Sequence, residues 1–170
     1  MSTRRDLILG LPGRNSETYR WMSKLLDVAL PYMEHRVARY RHWQCAGEYG
    51  DVAHEARSIT INRPAAVVAK SFGTLVLLQA YEQLGFRPSH AVLIGYPLRH
   101  AVESQRQALV SFVREVPTLA IQQSEDFTGS FAELNALVAG RARTIEVPGS
   151  DHEYQDVDQL AGWIRKFVKA

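Results

Sequence analysis

The chain has 170 residues, a formal net charge of +2, and 46% hydrophobic against 22% charged residues. That length supports one domain, spanning residues 1–170, that buries about 70% of its unfolded surface without disulfides. The lone cysteine, Cys45, excludes an internal disulfide and a multi-cysteine metal centre, and it fits a reducing compartment. The basic residues are scattered, Arg4-Arg5 being only a pair, so no basic stripe argues for a nucleic-acid partner. No apolar run is long enough for a signal peptide or a membrane span. A cytoplasmic protein with neither nucleic acid nor membrane as partner is expected.

Asp6 to Gly10 reads as a first strand buried on both faces, and Leu11 to Ser16 as a loop leading to a helix capped by Asn15 or Ser16. In that helix Tyr19, Met22, Leu26, Ala29 and Met33 recur at spacings of three and four, an amphipathic stripe. Val37 to Trp43 reads as a second strand. Ala46 to Asn62 is polar, with one short helix near Val52 to Arg57, and Arg63-Pro64 closes it. Ala65 to Ala69 is the next strand, running almost without a loop into a helix that Gly85 stops. Then follow a strand Ala91 to Gly95, a helix Val102 to Val113 and a strand Pro117 to Ile121. A capping box at Ser130 and Glu133 starts a helix that Gly140 ends. Arg143 to Val147 is the last strand, and Val157, Leu160, Ile164, Phe167 and Val168 mark the core face of the last helix. Strands alternating with helices predict a mostly parallel sheet covered on both faces, with its strand-end loops along one edge.

The junction Ala69-Lys70-Ser71-Phe72-Gly73 has the order of the nucleophile elbow G-x-S-x-G, with alanine in place of the first glycine. So tight a strand-to-helix turn lifts the central side chain above the sheet edge and aims the first helical amides at whatever it attacks. Ser71 is therefore the candidate nucleophile, although serine is also a common N-cap and a βα turn often uses one.

A serine hydroxyl needs a base, and the base needs an orienting carboxylate. The same edge offers Glu125, Asp126, Asp151 and Glu153 as acids and His100 and His152 as bases. Ser71, Asp126 and His152 each follow a separate strand, in the order serine, acid, histidine, whereas His100 precedes every acid. Asp151 adjoins His152, and neighbouring side chains usually diverge, which favours Asp126. Asp126 could equally cap a turn, and a loop histidine is commonly only solvated. The oxyanion donors expected are the amide of Phe72 and, from the loop after the first strand, that of Leu11, because Pro12 has no amide.

These segments, with Ile94-Gly-Tyr-Pro-Leu98, Pro117 to Asp126 and Val147-Pro-Gly-Ser-Asp-His152, resemble the α/β-hydrolase superfamily, and within it the small capless hydrolases near the dienelactone-hydrolase group. The resemblance spans most of the chain. It implies Ser71 as nucleophile, Asp126 as acid and His152 as base, and a three-layer α/β fold with a six-stranded sheet in the order 2-1-3-4-5-6. Leu9-Gly10 replaces the usual His-Gly pair after the first strand. The short connection after Pro97 leaves no cap, so an open cleft is expected. Tyr96, Phe127 and Tyr154 are expected as rim aromatics and Lys70 as a contact for an anionic substrate, although packing for the aromatics and a solvated lysine are the plainer roles.

The leading expectation is a serine hydrolase of a small ester or related acyl compound, needing no metal or organic cofactor. The alternative is a binding or interaction protein that keeps the scaffold without the chemistry. A nucleotide-binding domain finds little support, since Gly10 and Gly13 alone do not make G-x-G-x-x-G.

Overall fold

The run Ala66-Val-Val-Ala-Lys70 is buried at all five positions, so both of its faces must be covered. The computed structural model describes residues 7–45, 49–59 and 64–169 and sets this run inside a six-stranded sheet. Arg4, Arg5 and Asp6, and part of the Ala46–Pro64 stretch, lie outside the described residues.

In chain order the strands are β1 (Ile8–Leu11), β2 (His35–Val37), β3 (Ala66–Lys70), β4 (His90–Ile94), β5 (Thr118–Gln123) and β6 (Arg143–Val147). The helices are α1 (Glu17–Ala29), α2 (Val52–Ser58), α3 (Phe72–Leu84), α4 (Glu103–Glu115), α5 (Phe131–Val138) and α6 (Val157–Val168). The sheet order is β2-β1-β3-β4-β5-β6, and every pairing is parallel.

The two-residue period of a strand divides β3 between two cores. Val67 and Ala69 join Val76, Leu77 and Phe112 on one face, while Ala66 and Val68 join Met22, Leu26 and Ile164 on the other. Helices α1 and α6 therefore cover the second face, and α2 to α5 the first.

Several elements differ from their sequence reading. The second strand stops at Val37, and Arg41–Trp43 forms a separate 3-10 turn. The rings of Tyr40, His42 and Trp43 fold back toward the β1–α1 loop, and an extended strand cannot make that turn. Ser16 occupies the N-cap of α1 without a side-chain bond; Thr18 Oγ1 instead donates to the Gly13 carbonyl (3.1 Å). Met33 lies beyond the end of α1, packed against the core. Helix α5 stops at Val138, with Ala139 already left-handed ahead of Gly140. Its capping box forms as expected between Ser130 and Glu133.

Candidate active site

β3 ends at Lys70 and α3 begins at Phe72, so Ser71 makes the whole turn. It does so at φ 49° and ψ −115°, a conformation that costs a residue with a side chain about 1–3 kcal/mol. Burial of Val67, Val68, Val76 and Leu77, each contributing about 1.5–3 kcal/mol, outweighs that cost. Hydrogen bonds pin the turn: Ser71 N donates to Ile94 O (2.9 Å), and Thr74 N and Oγ1 donate to Ser71 O (2.9 and 2.6 Å). Glycine is needed at residue 73, where a Cβ would stand 2.2 Å from the Leu11 carbonyl oxygen. The methyl of Ala69, in contrast, is accommodated in the closed core.

β6 ends at Val147, and the loop that follows has positive φ at Gly149 (141°), His152 (65°) and Tyr154 (56°). It carries the imidazole back to the elbow. His152 Nε2 lies 2.8 Å from Ser71 Oγ, and Nδ1 lies 2.7 Å from Asp126 Oδ2. A carboxylate only accepts, so Nδ1 carries the proton and Nε2 is left to accept from the serine hydroxyl. Asp126 Oδ1 accepts from Thr128 N and Oγ1, each at 2.8 Å, and Oδ2 also accepts from the Tyr154 hydroxyl at 2.8 Å.

Burial alone pushes the Asp126 carboxyl up, but hydrogen bonds from His152 and Thr128, with the charge of His152, hold it below its ordinary value. Asp126 is therefore ionised beside the ring. Burial, and next the Asp126 charge, push the Tyr154 phenol well up, so it remains a donor.

The remaining expected residues divide. Phe127 is exposed on the lip of the cleft, its ring tilted 60° to that of His152 at 5.6 Å. Lys70 is not a solvated lysine: it is 5% exposed, and Nζ donates to the His152 carbonyl (3.1 Å) beside the Trp21 ring. Burial holds its amine below the ordinary lysine value, while the charges of Glu153, Asp126 and Asp151 act the other way.

Tyr96 is not a rim aromatic. It is fully buried, its hydroxyl donates to the Gln105 carbonyl, and both its backbone groups bond the buried Gln122 amide. Tyr154 is likewise buried, held under Asp126. Asp151 accepts from Gln123 Nε2 and Glu153 N, and it is not the acid that meets His152. His100 lines the cleft, but the imidazole that meets Ser71 is His152.

The cleft around Ser71 encloses about 780 Å³. Its lining includes the apolar side chains of Phe72, Leu75, Pro97 and Phe127, together with Gly13 to Asn15, Lys70 and Asp151 to Glu153. The β4–α4 connection is a tight turn in which His100 N and Ala101 N both bond the Pro97 carbonyl, leaving no inserted cap. Among the described residues no three His, Cys, Asp or Glu side chains gather as a metal site, and no helix is long and apolar enough to cross a membrane.

Solved structures share this architecture. An alpha/beta-superfamily protein from Xanthomonas campestris pv. campestris matches with a TM-score of 0.67 at 17% identity, over 96% of this chain and 96% of its own. The chain has the α/β-hydrolase fold.

An alpha-beta serine hydrolase homologue from Coxiella burnetii matches at TM-score 0.67 and 14% identity, over 94% of this chain and 83% of its own. A cold-adapted esterase from an Arctic intertidal metagenomic library matches at 0.64 and 15% identity, over 99% and 83%. No family model matches the chain, and no curated protein does. This chain and the Xanthomonas protein each cover 96% of the other in this α/β-hydrolase fold.

The sequence reading missed the residues that hold the triad-like group. Gln123 Oε1 accepts from His152 N (2.8 Å), Gln123 N donates to the Tyr154 hydroxyl (2.9 Å), and Trp21 Nε1 donates to the Tyr154 carbonyl (3.2 Å). One signal was present: two glutamines end an otherwise apolar strand at Gln122-Gln123, and buried amides need partners.

Proposed function

We propose that this protein is a serine hydrolase acting on a small ester or related acyl compound. The observation that carries the reading is the uninterrupted series Ser71 Oγ, His152 and Asp126, at 2.8 and 2.7 Å, across three separate strand ends. The names of its structural neighbours, a serine hydrolase homologue and an esterase among them, support the same class.

Ser71 Oγ attacks the substrate carbonyl carbon as His152 Nε2 takes its proton, and Asp126 balances the resulting imidazolium. The charge gathering on the carbonyl oxygen is met by the Phe72 amide at the start of α3. The second donor comes from the β1–α1 loop, whose Gly13 to Asn15 line the cleft. It is not the Leu11 amide expected from the sequence: Leu11 pairs with Ala69, and its N–H, opposite the Gly10 carbonyl that accepts from Ala38 N (2.9 Å), points into the β1–β3 ladder. His152 returns its proton to the departing alcohol, and water, activated by the same imidazole, releases the acid and restores Ser71. Phe127 and the other apolar lining side chains contact the substrate, while Lys70, buried and bonded to the His152 carbonyl, holds the histidine loop instead of the substrate. An uncapped cleft favours small acyl groups over long lipid chains.

A fluorophosphonate probe tests this reading. Wild type is covalently labelled, Ser71→Ala is not, and hydrolysis of activated esters falls about a millionfold in the variant. Folded wild type that neither labels nor turns over any ester of a short-to-medium acyl series would instead be a binding scaffold.

A further inference from the structure

The segment Tyr40–Trp43, read from sequence as the end of a strand, places three side-chain donors on the β1–α1 loop. Tyr40 OH donates to the Pro12 carbonyl at 2.8 Å. His42 Nε2 and Trp43 Nε1 both donate to the Arg14 carbonyl, at 2.7 and 2.6 Å. A carbonyl cannot donate, so His42 carries its proton on Nε2; its Nδ1 is buried without a hydrogen-bond partner among the described residues.

The same rings hold the other side of the elbow. Tyr40 meets the Phe72 ring edge-on at 5.1 Å, and His42 does so at 5.5 Å. Tyr40 and His42 are both at least nine-tenths buried, so neither grip is a loose surface contact. Gly50 completes the packing: a Cβ there would lie 3.0 Å from the Phe72 ring and 3.1 Å from His42.

We infer that Tyr40, His42 and Trp43 are positioning residues for the oxyanion hole. The inference rests on the serine-hydrolase reading above. A trans peptide points its N–H opposite its C=O. Drawing the Pro12 and Arg14 carbonyls into the clamp therefore turns the Gly13 and Asn15 amides away from it; both residues line the cleft. It also fixes the path of the chain that leaves Leu11. Meanwhile the packed ring of Phe72 ties the first residue of α3 to the same segment. One four-residue segment thus registers both donor segments against each other, although they follow different strands. An oxyanion donor displaced by a fraction of an ångström loses most of its advantage, because its partner charge exists only in the transition state.

The test is Tyr40→Phe, which removes one hydroxyl and keeps the ring. The kcat is expected to fall about five- to tenfold, the scale of one neutral hydrogen bond, with KM nearly unchanged. The affinity for an aryl trifluoromethyl ketone, whose adduct with Ser71 carries an oxyanion, is expected to fall by the same factor. Trp43→Phe, at the half-buried end of the turn, is expected to behave likewise and serves if Tyr40→Phe does not fold. His42→Gln, which keeps a donor, is expected to retain more activity than His42→Leu. Unchanged kcat and ketone affinity in folded Tyr40→Phe and Trp43→Phe would overturn the clamp, as would a loss of thermal stability with no change in either. A wild type that takes no fluorophosphonate is a separate result and removes the hydrolase reading itself.

Discussion

The elbow and the histidine loop bring two halves of one group together by opposite means. The elbow spends one residue, Ser71, between a strand and a helix, and its constraints are local: Thr74, Gly73 and the neighbouring strand end at Ile94. The loop from Gly149 to Tyr154 has three positive φ angles and no regular structure. It is held by side chains from far away: Lys70 on β3, Trp21 on α1, Gln123 on β5 and Asp126 beyond it. Ser71 is therefore set by backbone geometry and His152 by a polar network. Backbone geometry fails all at once when a Cβ intrudes. A network fails by degrees as its members are removed.

Three changes probe that difference. The largest effect on rate is expected for Asp126→Asn, which keeps an acceptor for Thr128 but turns a donor toward Nδ1 and so disfavours the tautomer that accepts from Ser71. The expected loss in kcat is about ten-thousandfold, measured on an activated ester, with fluorophosphonate labelling slowed in parallel.

Gly73→Ala breaks the elbow instead. Its Cβ would stand 2.2 Å from Leu11 O and 2.7 Å from Pro12 O, both backbone atoms that cannot swing aside. Denaturant unfolding is expected to show a loss of about 1–3 kcal/mol, the range for overpacking, together with loss of labelling. Retention of full stability would mean that β1 and α3 are less closely apposed than 2.2 Å implies.

The smallest effect is expected from the network. Thr128→Val removes the hydroxyl bond to Asp126 Oδ1 while the backbone bond remains. The sign of its pH dependence follows from the Asp126 carboxyl lying below its ordinary value in the folded protein. A depressed carboxyl contributes stability above its unfolded pKa, about 3.9, and that contribution is lost as pH falls through the folded value. The variant depresses Asp126 less, so the gap in Tm between wild type and variant is expected to be widest near neutral pH. It should narrow as the pH drops below about 4. A gap that widens in acid would contradict the role given to Thr128.

Much of this protein is legible along the chain. Alternating apolar strands and amphipathic helices determine the layers, because a five-residue run such as Ala66–Lys70 can only be buried between two helical faces. The capping box at Ser130 and the stop at Gly85 are local chemistry and form as read. The order Ser71, Asp126, His152 is also in the sequence, since parallel strands deliver their following loops to one edge.

What only the tertiary structure decided is which way individual side chains turn once they arrive. Tyr96 and Tyr154 looked alike as strand-end aromatics, yet both are buried, one against α4 and one as a donor to Asp126. Lys70 has the composition of a surface residue and the position of a buried one, because the loop carrying His152 folds over it. Tyr40 to Trp43 has the residues of a strand and leaves the sheet to bond the Pro12 and Arg14 carbonyls. Periodicity records which face of an element is apolar, a property of neighbours three or four residues apart. A hydrogen bond between residues 21 and 154, or 70 and 152, is a property of the packed chain and leaves no periodic trace in the sequence.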